Sequence, residues 1–401
     1  MAGTSLTKAI RRRLYSFAAR IAKPFSDSRR RRFLIDMLTG LVAAGHVHLT
    51  AIARGVTRGI GNIHAFEKRL SGHLSSEHWD MSPVADSLVK QSAAMVQDDT
   101  LIPADLTDLS KPYARHLEGL GRVHDGSDPQ GRITPGYAVF EAYARVGKWQ
   151  LFPLVVEPLK VYAGAPVGEN EEILVHIRRV QDATGGRGTW VFDRGFDRRE
   201  LFTPLVRAHV AFIVRQRGDR LIQAADGRVL SVQEFADEQA CPRPRCWRKN
   251  GVAIVREVWL PEVGPEPFLL VIGWRVPNSA RPVILLISPD ARRPGRTAMW
   301  FVRAYHRRWG VEDATRGLKQ KFTLEQFLVR SWCAIRRLLW LVAWAFWWLN
   351  LWGEERFDGL QRALMNHSWR LKKKVTYLFD WIASMLRELL HPHPRITSNT
   401  G

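Results

Sequence analysis

The most informative stretch of the sequence is Tyr305-His306-Arg307-Arg308-Trp309-Gly310-Val311-Glu312, which continues to Lys319. On a single helix, which turns by about 100° per residue, four of these side chains share a sector of about 60°. They are Tyr305, Arg308, Glu312 and Lys319. A carboxylate among phosphate-seeking cations suits a metal ligand beside DNA contacts better than an ordinary solvated residue. The pattern therefore predicts a helix face with an acid, two cations and a phenol.

The spacing of these four residues, Tyr-x2-Arg-x3-Glu-x6-Lys, resembles the signature of a large group of bacterial insertion-sequence transposases with a DDE triad of acids. Two upstream segments resemble the other motifs of that group. Residues 104–111 contain Asp105 followed two residues later by Thr107, and residues 190–196 are an apolar run that ends in Asp193 before Arg-Gly-Phe. Asp108 remains an alternative to Asp105, although the pattern of a strand followed by an acid favours Asp105.

The resemblance implies a two-metal chemistry. Asp105, Asp193 and Glu312 would be the catalytic acids and would bind two Mg²⁺ ions, for which Mn²⁺ is the expected substitute. Two such ions about 4 Å apart serve both ends of an in-line displacement at a phosphodiester, and hard cations prefer carboxylate oxygens to Cys or His. Arg308 and Lys319 would bind phosphates at the DNA ends, and Tyr305 would hydrogen-bond another.

The resemblance also implies a function and partners. It predicts a DNA transposase that nicks the DNA at transposon end repeats and joins the freed 3′-hydroxyl to target DNA. The expected partner is double-stranded DNA, and the DNA-bound protein is expected to be a homodimer. A bacterial protein of this kind is expected in the cytoplasm, associated with the nucleoid.

The implied fold class is α/β, with a ribonuclease H-like core interrupted by a β-rich insertion and flanked by helical terminal regions. Hydrophobic periodicity and turn residues indicate the segment boundaries. The predicted segments are a basic helical DNA-binding region (1–95), the first part of the core (96–217), the β-rich insertion (218–297), the second part of the core (298–350) and a helical C-terminal tail with a candidate role in dimerisation (351–401). Pro103 predicts an edge or strand-start position for the first core strand.

The composition favours a polyanionic partner. The 401 residues include 60 Lys+Arg and 39 Asp+Glu, a formal charge of +21. Fourteen of the basic residues and only three acids fall within residues 1–70. Helices predicted over residues 49–56 and 63–74, separated by the glycine-containing turn 58–62, outline a helix-turn-helix reader. Such a charge excess indicates nucleic acid or an anionic membrane surface as the partner.

Two rival functions fit parts of the sequence. A catalytically inactive DNA-binding relative, such as a repressor, would keep the basic regions, although all three acids are present here. A peripheral membrane protein would use the basic N-terminal arm and the apolar stretch at residues 338–352 (LLWLVAWAFWWLNLW). That stretch is shorter than the roughly 20 residues of a spanning helix, so it predicts a buried core helix, and no membrane partner is expected.

Overall fold

The computed structural model describes residues 2–56, 62–124, 130–147, 150–160, 167–239, 241, 251–274, 281–353 and 378–390. The α-helices in these ranges are α1 (Ala2–Ala22), α2 (Ser28–Ala44), α3 (Leu49–Val56), α4 (Ile63–Ser75), α5 (Ser82–Ala93), α6 (Glu169–Thr184), α7 (Arg199–Arg207), α8 (Val232–Glu238), α9 (Ala298–Arg307), α10 (Gly310–Lys321), α11 (Trp332–Asn350) and α12 (Leu378–Leu390). The strands are β1 (Leu101–Ser110), β2 (Gly121–His124), β3 (Ile133–Val146), β4 (Gln150–Pro158), β5 (Thr189–Phe192), β6 (Phe212–Arg215), β7 (Leu221–Gln223), β8 (Val229–Ser231), β9 (Val252–Val258), β10 (Phe268–Trp274) and β11 (Val283–Ile287).

Nine of the described strands form one mixed sheet. Its order is β2-β3-β1-β5-β6-β11-β10-β9, and β4 also pairs with β3. The neighbours β1, β5 and β6 run parallel, whereas the remaining pairs are antiparallel. Strands β7 and β8 form a small ladder of their own. The fold is therefore a mixed α/β fold with a central sheet, as the α/β prediction requires.

Strand β1 lies inside the sheet, so the expected edge position for Pro103 is wrong. β1 has β3 on one side and β5 on the other, and Pro103 pairs with Val191 of β5. On the β3 side, β1 pairs at Leu101 and then from Ala104 onward. Pro103 thus lies in a gap of that ladder, where a missing backbone N–H removes no strand-to-strand hydrogen bond.

The strands predicted between residues 218 and 297 are present, and they extend the central sheet. β11 pairs with β6, and β10 and β9 follow outward from it. The short helix expected in this segment is α8. Strands β9, β10 and β11 of this segment therefore belong to the same sheet as the strands of residues 96–217, whereas β7 and β8 do not. The predicted boundary at residue 218 does not separate two sheets.

One hydrophobic cluster joins the N-terminal helices, the sheet and α11. It extends from Ile10 on α1 to Leu390 on α12 and includes the fully buried rings of Trp344, Trp348 and Trp352. The prediction of a buried core helix at residues 338–352 is confirmed, because α11 packs against β4, α2 and α4. The opposite face of the sheet is covered by α9 in a second cluster.

The terminal regions are helical where the structure describes them. Helices α3 and α4 agree with the two predicted arms of the helix-turn-helix, but residues 57–61 of the turn lie outside the described residues. In the predicted tail, residues 354–377 and 391–401 also lie outside them. In the described ranges no single helix has the length and apolarity to cross a membrane; α2 and α3 together reach that length, but they meet at a 96° bend.

Candidate active site

The two predicted aspartates lie at one end of the parallel strands. The last parallel pair between β1 and β5 is Pro103↔Val191. Asp105 and Asp193 each lie two residues beyond that pair, so the parallel register places them at the same end of β1 and β5. Residues two apart in a strand face the same side of the sheet, and Val191 belongs to the cluster under α9. Both acids are therefore directed toward the α9 side.

Asp193 is held in place by the turn that follows β5. Its Oδ1 accepts a hydrogen bond from the backbone N–H of Gly195 at 2.8 Å, which caps the 3-10 turn Arg194–Phe196. A Cβ at position 195 would lie 2.9 Å from the same oxygen. The glycine of the Asp-Arg-Gly-Phe segment therefore permits the close approach that fixes this carboxylate.

The segment 305–319 is two helices and not the single helix that the sequence predicts. α9 ends at Arg307 and α10 begins at Gly310. At the junction, the backbone N–H groups of Arg308 and Val311 bond to carbonyls three residues back, at 2.9 and 2.8 Å, as in a tightened 3-10 turn. A Cβ at position 310 would approach Arg145 Nη1 to 2.5 Å. Close packing of Arg145 against the junction thus accounts for this glycine.

Arg308 binds two of the predicted acids. Its Nη1 donates to Asp105 Oδ2 at 2.9 Å, and its Nη2 donates to Glu312 Oε1 at 2.8 Å. Only 6% of the Arg308 side chain is exposed. The planar guanidinium presents several N–H groups in a fork, which suits a bridge between two carboxylates. The side chain that the sequence assigns to DNA phosphates therefore lies between Asp105 and Glu312.

The electrostatics agree with a tight cluster of acids. Burial raises the pKa of Asp105 to about 6, the Arg308 guanidinium opposes this rise, and the neighbouring charge of Asp193 adds to it. Desolvation lowers the pKa of Arg308. The surrounding acids, with Asp105 first among them, raise this pKa by more than desolvation lowers it, so the net direction is upward. Asp193 is thus close enough to act on both partners of the ion pair.

Lys319 and Tyr305 flank this cluster. Lys319 Nζ lies 3.1 Å from Glu325 Oε1 and 3.4 Å from Asp108 Oδ1. Tyr305 is 4% exposed and packs in the cluster beneath α9, with its ring centre 6.0 Å from the Arg308 guanidinium carbon. The alternative acid, Asp108, is thus paired with Lys319. Asp105 is the acid that Arg308 links to Glu312.

The carboxylates do not form a ready metal cluster in this arrangement. Within the described ranges, no group of three or more His, Cys, Asp or Glu side chains has positions suited to holding a metal ion. The guanidinium of Arg308 occupies the space between Asp105 and Glu312. In this arrangement Asp105 and Glu312 therefore have Arg308 as their shared charge partner.

The sequence interpretation missed a fourth acid, Glu141 on β3. It pairs directly opposite Asp105 across the β1–β3 ladder and is 1% exposed. Its Oε2 accepts hydrogen bonds from Thr315 Oγ1 at 2.6 Å and from Tyr143 Oη at 3.0 Å. A single acid within an otherwise apolar strand was the available signal, because an unpaired carboxylate is costly to bury.

A further buried acid, Asp197, lies four residues after Asp193. Only 1% of its side chain is exposed, and it forms an ion pair with Arg220 at 2.6 Å. It also accepts from the backbone N–H of Arg217 at 2.9 Å. Arg217 and Arg220 follow β6 and are 20 and 23 residues away from Asp197 in sequence, so only the tertiary structure brings them to it.

The chain was compared with protein families, curated proteins and solved structures. Residues 167–348 match the family model described as a transposase DDE domain. A cryo-EM structure of a piggyBac transposase synaptic complex with hairpin DNA aligns with 96% of this chain and 78% of its own, at 12% identity and a TM-score of 0.42, which is too low to support a conclusion. No curated protein matches the chain. The family match includes Asp193 and Glu312 but not Asp105, and it supports a DDE transposase.

Proposed function

We propose that this chain is a DNA transposase that binds transposon end repeats, cleaves a phosphodiester by two-metal hydrolysis and joins the 3′-hydroxyl to target DNA. The observation that carries the proposal is the convergence of Asp105 and Glu312 on one guanidinium beside the strand end that bears Asp193. The match to the transposase DDE domain supports it. We propose the same core to be ribonuclease H-like, and the DNA-bound form to be a dimer.

The proposed ligands of two Mg²⁺ ions, or of Mn²⁺ in their place, are Asp105, Asp193 and Glu312. DDE transposases generally use divalent metals. The donor set fits, because all three groups offer carboxylate oxygens and a positive group already bridges two of them. The raised pKa of Asp105 indicates that Arg308 alone does not compensate its burial. When bound, the ions would activate a water and stabilise the leaving oxygen.

Arg308 has two roles in this proposal. In the arrangement described here it neutralises Asp105 and Glu312. With metal bound to the acids, its guanidinium would be available to a phosphate of the DNA end, which is the role that the resemblance implies. Lys319 would contact a second phosphate after leaving Asp108 and Glu325. Tyr305, whose ring is buried beneath α9, would hydrogen-bond another phosphate, as the resemblance implies.

The test is Mg²⁺-dependent nicking of a duplex that carries the element's own terminal repeats. Glu312→Ala should abolish the nicked product, because a ligand of the reacting centre is lost, while the affinity for the same duplex persists. A suitable control is Asp313→Ala, since Asp313 is the adjacent acid on α10 and pairs with Arg316 at 3.3 Å. The control should nick at the wild-type rate.

Two results would overturn the proposal. Nicking by Glu312→Ala at the wild-type rate would remove the assigned chemistry. Binding of the end duplex by the wild-type protein without nicking in Mg²⁺ or Mn²⁺ would favour the inactive DNA-binding relative. The DNA around the gene gives a further check, because short inverted repeats that bracket the reading frame are expected for a mobile element.

A further inference from the structure

Glu141 is a buried carboxyl group that the proposed chemistry does not use. Its strand partner is Asp105, and directly paired residues of antiparallel strands direct their side chains to the same face. Its carboxylate accepts hydrogen bonds from the hydroxyls of Thr315 and Tyr143, and among the described residues no ion pair reaches it within 4.0 Å. Burying such a group is costly, so its position calls for a role beyond packing.

The contact with Thr315 ties β3 to α10. Thr315 lies three residues after Glu312 on the same helix, so the two side chains are neighbours on one face. Because a helix is rigid over one turn, a fixed Thr315 limits how far α10 can rotate about its axis. Rotation of α10 is the motion that would direct Glu312 toward or away from Asp105.

A second contact from the same strand holds the start of α10. Arg145 Nη1 donates to the backbone carbonyl of Arg307 at 2.9 Å and lies against Gly310. Strand β3 therefore contacts the helix junction through Arg145 and the next turn through Glu141. These contacts, at Arg307 and Gly310 of the junction and at Thr315 five residues after Gly310, restrain both the position and the rotation of the start of α10.

We propose that Glu141 is a positioning residue, which sets the direction of Glu312 through its hydrogen bond from Thr315. This inference rests on the proposed function in treating Glu312 as a metal ligand. When a residue that orients a metal ligand loses its contact, metal affinity or activity typically falls about 10- to 100-fold. Glu141 touches no reacting atom in this role.

The experiment compares two donors to the same carboxylate oxygen. Thr315→Val removes the contact to α10, whereas Tyr143→Phe removes a contact within β3 and leaves α10 untouched. Each variant loses one hydroxyl donor to the same oxygen, so the two variants should have similar melting temperatures. Thr315→Val should lower the nicking rate about 10- to 100-fold and weaken Mn²⁺ binding to the DNA-free protein by a similar factor. Tyr143→Phe should leave both near wild type.

Two substitutions at position 141 complete the design. Glu141→Gln keeps an acceptor oxygen and should retain most nicking and Mn²⁺ affinity, whereas Glu141→Leu should behave like Thr315→Val. Electron paramagnetic resonance titration of free Mn²⁺ gives the affinity without any reaction. If Glu141→Leu does not fold, Thr315→Val alone still decides the question.

Equal nicking rates and equal Mn²⁺ affinities for Thr315→Val and Tyr143→Phe would overturn the inference, even if the wild type nicks in a Glu312-dependent manner. A wild type that does not nick, or a Glu312→Ala variant that does, would instead overturn the proposed function. In that case the Mn²⁺ titration still decides whether Thr315 and Glu141 position an acid site.

Discussion

Arg308 sets the charge balance between the acids of the site. It is almost fully buried, whereas 23% of the Asp105 side chain and 38% of the Glu312 side chain are exposed. Removing one partner from a buried ion pair is costly because the other charges are left uncompensated. Since one end of this bridge is partly solvated, the loss should fall below that of a fully buried pair.

We therefore expect Arg308→Gln to lower the free energy of unfolding by about 2–3 kcal/mol in the presence of EDTA. Millimolar Mg²⁺ should restore more stability in this variant than it adds to the wild type, because no guanidinium competes for the carboxylates. Urea unfolding with and without Mg²⁺ measures both effects. The same Mg²⁺ increment in both proteins would contradict the competition between Arg308 and metal.

Glu141 should give the protein a specific pH dependence. Burial raises its pKa from 4.5 to about 7, although the hydrogen bonds from Thr315 and Tyr143 oppose the rise. Because the folded pKa exceeds the unfolded one, the stabilising contribution of the protonated carboxyl is full below about pH 4.5 and is lost as the pH rises through about 7. Asp105 acts in the same direction with a pKa of about 6.

Glu141→Gln removes this loss while Asp105 and Lys319 stay unchanged. The stability of the variant relative to the wild type should thus increase by about 2–3 kcal/mol between about pH 5 and about pH 8. Urea unfolding at the two pH values measures the difference. A constant difference across this range would mean that the carboxyl of Glu141 titrates normally.

Helix α10 connects the candidate site to the segment that follows it. Lys319 near its C-terminal end pairs with Asp108 on β1 and with Glu325 in the turn Leu324–Gln326. These ion pairs are partly exposed, with 21% of the Lys319 side chain accessible. Pairs of this kind contribute about 0–1 kcal/mol, so they leave Lys319 able to exchange its partners for a phosphate.

Lys319→Ala should therefore weaken end binding or nicking about tenfold while the protein stays folded. The melting temperature should change by only a few degrees, because the lost ion pairs are weak. Arg316→Ala is the matched control on the same helix, since Arg316 is 49% exposed and pairs with Asp313. Full activity of Lys319→Ala with an unchanged melting curve would refute the phosphate role.

Across the whole chain, the excess of +21 should govern DNA affinity. Each phosphate neutralised by Lys or Arg releases counterions, so affinity falls steeply as salt rises. If the end duplex engages 6–10 phosphates, affinity should fall by about 10³–10⁵ between 50 and 200 mM salt. Fluorescence anisotropy with a labelled end duplex measures the slope. An affinity that does not change with salt would exclude a backbone-dominated interface.

The shared core also bears on how the chain is organised. The N-terminal helices, the sheet and α11 contribute to one hydrophobic cluster, so the described helices before β1 share their core with the central sheet. Trp344, for example, is fully buried, and its ring lies 5.7 Å from that of Phe17 on α1. The division into five segments stays a prediction. The described parts of these segments share one hydrophobic core.

Local pattern was enough for most elements and for the positions of the acids. The bounds of α3, the start of α4 and the β-rich character of residues 218–297 were predicted from periodicity and turn residues. These features depend on residues a few positions apart, so they can be predicted from the sequence alone. The three acids were singled out because each belongs to a short motif that resembles one of the transposase group, and their role as metal ligands stays a prediction.

Only the tertiary structure determined how these pieces meet. The interior position of β1, the break between α9 and α10, the Arg308 bridge and the Glu141–Thr315 contact all join residues that pairing register brings together. Asp105 and Asp193 are far apart in sequence. They lie at the same end of the sheet only because β1 and β5 pair in parallel in this register. Long-range contacts of this kind leave no local pattern, because each partner satisfies ordinary residue preferences at its own position.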